Sequence, residues 1–165
     1  MVAPAESAPS EDEAALARYA AALADAVDDA LGPWVRRCVA SVAEAWRPGT
    51  VAGLSEATDR AADDARREIG ATVRALLETD VDRQRTGPLA VLRSGVRFPT
   101  AVLADAGVPP VAREAFSHQA FPDDLYDLAP ASFADVDPAL HEPGLVWGAA
   151  KAHVVLARRR AEGLR

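Results

Sequence analysis

Through the first half of the chain apolar side chains recur every three or four residues, and nowhere do apolar and polar residues alternate long enough to make a strand. This periodicity commits the chain to helices, and its 165 residues suffice for one domain with a core of its own. The expected fold is all-α: three longer N-terminal helices form a bundle, followed by short helices and turns, and a C-terminal helix closes it.

Residues 1–10 (MVAPAESAPS) have no apolar period and read as a disordered lead-in to a single domain over 11–165. Ser10 and Glu13 stand at capping-box spacing, and Leu16, Tyr19, Leu23, Val27 and Leu31 then share a face opposite Glu13, Asp25 and Asp28, which predicts a first helix over 11–31. Gly32-Pro33 reads as a break that restarts the chain as a second helix over 33–47, with Trp34, Val35, Cys38, Val39, Val42 and Trp46 as its stripe. A third helix over 55–78 is the most clearly amphipathic. Ala57, Ala61, Ala65, Ile69, Val73, Leu76 and Leu77 lie on one side, and small alanines permit close approach to a neighbour. These helices are the bundle of residues 11–78.

Beyond 78 the chain is punctuated by proline about every ten residues, so 79–142 reads as short helices and an acidic, turn-rich segment. The last helix, over 143–162, opens at Pro143, directs Leu145, Val146, Ala149, His153 and Leu156 to the core, and ends in Arg158-Arg159-Arg160, where a helix C-terminus favours cations.

Composition removes several functions. Arg and Lys total 18 against 25 Asp and Glu, a net charge of -7, which opposes an overall grip on nucleic-acid phosphates. Cys38 is the only cysteine and lies among valines, so it reads as a small buried hydrophobe; neither a disulfide nor a thiolate zinc site can form within the chain. No leader-like N-terminus and no uninterrupted apolar span is present, and the short basic C-terminus falls below what stable membrane attachment requires, which makes the cytoplasm the expected compartment. Nucleotide-binding glycine loops, a nucleophile elbow and metalloprotease spacing are all missing, and His118, His141 and His153 are too far apart in sequence for local geometry to join them. No cofactor and no metal is expected.

The segment from Phe121 to Gly144 carries six acids and no Lys or Arg, with aromatic residues among them. It supports a non-enzymatic interaction or regulatory domain in which Phe121, Asp123, Asp124, Tyr126 and Asp127 meet a basic protein partner. Asp123-Asp124 after Phe121-Pro122 also reads as a helix start, acids at the positive end of a helix dipole. The alternative is a small-molecule or metal-binding domain or enzyme, with Arg97, His118, Asp124 and Asp127 around a pocket. A bundle with alanine-rich faces can also pair with itself, so a homodimer belongs among the partners.

The stretches TDVDRQRTGPLAVLR, FPTAVLADAGVPP, AFPDDLYDLAPASFADVDP and LHEPGLVWGAAKAHVVLARRR, spanning 79–160, resemble a group of small uncharacterised proteins of actinobacteria. The resemblance implies a bacterial cytosolic protein; it brings no activity, ligand or catalytic residue.

Overall fold

The computed structural model describes residues 8–78, 94–112 and 124–163, and for 129–144 the backbone alone. The described residues are helical, with no strand, and pack as an all-α bundle. Helix α1 (Glu11–Trp46) is followed by a single 3₁₀ turn (Val51–Leu54), then α2 (Ser55–Ala65), a π turn (Arg66–Gly70) and α3 (Ala71–Glu78) in one continuous rod. Helix α4 (Arg97–Asp105) and the long α5 (Leu128–Ala161) complete it.

The capping box is present at the start of α1: the Glu13 amide donates to Ser10 Oγ at 3.2 Å, and the Ser10 amide donates to Glu13 Oε2 at 3.1 Å. The expected division into helices over 11–31 and 33–47 does not occur, because α1 runs through Pro33 without interruption. Two local facts permit this. Gly32 precedes the proline and has no Cβ to collide with its ring, and Pro33 itself points to solvent. The residues around it, Leu31, Trp34 and Val35, are fully buried in the main core, and a break would pull them out.

The rod of residues 55–78 lies antiparallel to α1. Arg36 bonds Asp59 at 2.9 Å, Gly32 approaches Arg66, and Arg74 reaches Asp25 at 2.7 Å and Asp28 at 3.1 Å, so rising numbers on one element meet falling numbers on the other. Its buried residues Ala65, Ile69, Val73 and Leu77 step by four. In a straight α-helix that step walks the stripe about 40° round the axis each time. The wide π turn falls inside this run and returns the stripe to α1.

At the π turn Gly70 meets Asp28. A Cβ on Gly70 would overlap the Asp28 carboxylate, which is itself held by Arg74. Any side chain at position 70 has to move that carboxylate aside.

Helix α5 also runs antiparallel along α1: Leu128 joins the cluster of Val39 and Ala43, while Arg158 reaches Glu13 near the opposite end. The expected C-terminal helix over 143–162 therefore begins fifteen residues earlier, and the backbone of 129–142 is helix where turns were expected. Pro130 falls in the first turn, where its missing N–H costs nothing, and Pro138 and Pro143 each delete one intrahelical bond while keeping a helical φ. Among the described residues no helix is long and apolar enough to cross a membrane.

A double-mutant cycle tests the Gly70 contact. In the Asp28→Ala background Gly70→Ala is expected to stabilise by about 1 kcal/mol through helix propensity, whereas in the wild type the displaced carboxylate cancels or reverses that gain. Equal effects of Gly70→Ala in both backgrounds, by thermal unfolding, would show that the contact does not matter.

Candidate functional site

Of the residues marked out in and near the acidic segment, His118, Phe121 and Asp123 lie outside the described residues; Asp124, Tyr126 and Asp127 lie within them. These three form the turn that launches α5. Asp127 has a left-handed backbone (φ 55°, ψ 46°), and its amide donates to the Asp124 carbonyl at 3.3 Å. Asp124 is 1% exposed, and its carboxylate accepts from the Leu128 amide at 2.9 Å, filling the role of a cap at the positive end of the helix. Tyr126 is buried beside Val102, Leu103 and Val108, and its hydroxyl donates to the Val108 carbonyl at 2.8 Å. Burial pushes that phenol above its usual range. Two of the five side chains expected on a docking surface thus face inward, and only Asp127 of the described three is exposed, beside Leu125.

Arg97, the expected anion clamp, bonds Glu68 Oε2 at 2.7 Å and lies 4.7 Å over the Phe98 ring. It straps α4 to the π turn. Sequence spacing held no hint of this pair, whose members are 29 residues apart. Cys38 is half-buried and packs against both apolar clusters, as a small filler at their seam. Among the described residues no three His, Cys, Asp or Glu side chains converge as metal ligands.

A groove of about 560 Å³ opens where α1, α3 and α5 meet. Its floor is Leu16, Ala20 and Leu77, and its rim holds Glu13, Arg74 and Arg158. Glu13, Arg74 and Arg158 are matched within the molecule, and Glu78 also lines the groove. Arg158 bonds Glu13 Oε1 at 3.1 Å, and Arg74 bonds Asp25 and Asp28, which raises its already high pKa further. The Ser10 amide, then Arg158, hold the Glu13 carboxyl below its usual value. A ligand that uses Glu13, Arg74 or Arg158 has to displace an internal partner first.

The outer face of α5 was not legible in the sequence. Leu145, Val146, Ala149, His153 and Leu156, expected in the core, all face outward: Leu145 is 61% and Leu156 53% exposed. His153 instead reaches Asp12 at 3.3 Å across the surface. The inward face is made by Trp147, Ala150, Lys151, Val154 and Arg158, with Val154 buried and Trp147 packed on the main cluster. Helix α5 is apolar on two sides, so periodicity alone could not choose between them. The long-range contacts of Trp147 and Arg158 choose.

Comparison with models of known families, with curated proteins and with solved structures finds no match to this chain.

Two outcomes follow from this geometry. Asp124→Ala is expected to destabilise the fold by about 1–3 kcal/mol, since it strips a buried helix-end amide of its acceptor, while Asp124→Asn keeps an oxygen there and costs less. Equal losses in chemical denaturation would remove the capping role. For Glu13, a folded pKa below the ordinary 4.5 means that its contribution is complete above that pH and fades as pH falls through the lowered value. Glu13→Gln should therefore lie below the wild type in stability at neutral pH, with the gap closing in acid; a gap independent of pH would contradict this.

Proposed function

We propose that this chain is a non-enzymatic, cytoplasmic protein-interaction or regulatory domain and that the outward face of α5 is its contact surface. The reading is carried by the exposure of Leu145 and Leu156 on the side of α5 away from α1, with Val146 exposed on its flank. Leaving Leu145 and Leu156 in water on one face, with Val146 on its flank, forgoes burial worth about 1.5–3 kcal/mol per side chain, and exposed apolar surface of this kind is where protein partners dock. Asp127, the exposed member of the segment expected to meet a basic partner, stands at the start of the same helix.

The rival, a ligand pocket, draws less support. The groove between α1, α3 and α5 has its rim arginines committed to Glu13, Asp25 and Asp28. Arg97 is engaged with Glu68 and Asp124 with the Leu128 amide, so neither is held in reserve for a substrate.

A photo-crosslinking residue placed at Ala149, in cells that make the protein, is expected to give discrete crosslinked products. The same residue at Ala75, exposed on α3, should give none. No product at Ala149, or the same pattern at both positions, would overturn the assignment of this face.

A further inference from the structure

The groove where α1, α3 and α5 meet has the size of a small-molecule site, about 560 Å³ where such pockets hold roughly 300–1,000 Å³. It stays open because α1 presents alanine to it: Ala17 and Ala21, both exposed, line its wall with one methyl each. The floor side chains Leu16, Ala20 and Leu77 are buried and carry no hydrogen-bonding group. Such a floor accepts an apolar body and penalises a polar one.

The rim sets the charge of the occupant. Arg158 is bonded to Glu13 at 3.1 Å, and Arg74 to Asp25 at 2.7 Å and Asp28 at 3.1 Å, so an anion is held here only by breaking a pair. Glu78 lines the same groove, is exposed, and has no partner among the described residues. The reason is visible one turn earlier on α3. Arg74 stands four residues before Glu78, at the spacing where opposite charges pair on a helix, but turns across to the two carboxylates of α1. The rim groups and their bonded partners therefore comprise four carboxylates, Glu13, Asp25, Asp28 and Glu78, against the two guanidinium groups of Arg74 and Arg158.

We infer that this groove binds an amphiphilic organic cation, its apolar body lying on Leu16, Ala20 and Leu77 and its ammonium or amidinium group at Glu78. A cation placed so leaves both internal pairs intact and meets the one rim carboxylate without a partner among the described residues, whereas an anion meets Glu78 as a like charge. The commitment of the arginines, which weakens the groove as a site for anionic substrates, is what gives it this preference. The site is distinct from the outward face of α5 and does not depend on that face having a partner.

Calorimetric titration of the full chain with decyltrimethylammonium, below its micelle concentration and at low ionic strength, tests the inference, with decanesulfonate as the probe of equal chain length and opposite charge. The cation is expected to bind one to one with a Kd of about 10 µM to about 1 mM, and the anion at least about tenfold more weakly. Glu78→Gln should weaken the cation about five- to tenfold. Ala17→Phe, at an exposed position, fills the groove and should abolish binding with an unchanged helical circular-dichroism spectrum. Glu56→Gln removes the same charge from α2, away from the groove, and should shift the affinity by less than about twofold. A wild-type chain that takes up no cation, equal affinity for the two probes, or a Glu78→Gln chain that binds as the wild type does would each overturn the site. Binding that survives Ala17→Phe would place the cation elsewhere on the molecule, and a loss at Glu56→Gln as large as at Glu78→Gln would reduce it to general attraction toward a chain of net charge -7; either result overturns the groove as the site.

Discussion

Everything in this bundle hangs on α1 remaining one helix through Gly32-Pro33. A proline inside a helix costs about 3 kcal/mol through its missing amide and its collision with the preceding turn. Against that stand Leu31, Trp34 and Val35, all buried beside it, each worth about 1.5–3 kcal/mol relative to exposure. Three such side chains outweigh one proline, so the helix passes through the break its sequence advertises. The consequence is an unbroken spine on which the rod of residues 55–78 and α5 both lie antiparallel.

Charge does little for the strength of this assembly and much for its register. The pairs Arg36 with Asp59, Arg74 with Asp25 and Asp28, Arg97 with Glu68, and Arg158 with Glu13 join elements far apart in sequence. Arg36–Asp59 and Arg97–Glu68 are exposed, where a pair is worth about 0–1 kcal/mol, while Arg74–Asp28 and Arg158–Glu13 are half-buried. Their role is to choose among the ways two alanine-faced helices can slide past each other. The same pairs engage Arg97 and the two arginines on the groove's rim, and the functional reading moves from the groove to the unpacked side of α5.

The all-α class, the capping box at Ser10 and Glu13, and the helical span of 55–78 could be read directly, because each is written in local spacing. Proline punctuation misled for a physical reason. Pro33 and the prolines of α5 sit in helices whose packing on a long partner repays the lost bonds, and that repayment is nonlocal. Helix α5 posed a different difficulty, with apolar residues on two sides and a core contact decided by Trp147 and Val154. Asp124 read as a helix-start acid and as part of a docking surface; the Leu128 amide, 2.9 Å from its carboxylate, bears out the first.

The continuity of α1 can be measured directly. Spin labels at Ala22 and Ala45, both exposed and bracketing Pro33, with Cys38 replaced by alanine, report the length of the spine by pulsed electron–electron resonance. Twenty-three residues of unbroken helix span about 35 Å, so a single narrow distance distribution near that value, allowing for the labels, is the expected result. A distinctly shorter distance, or a broad one with two populations, would mean that the chain breaks at Gly32-Pro33 and that the packing built on α1 is wrong.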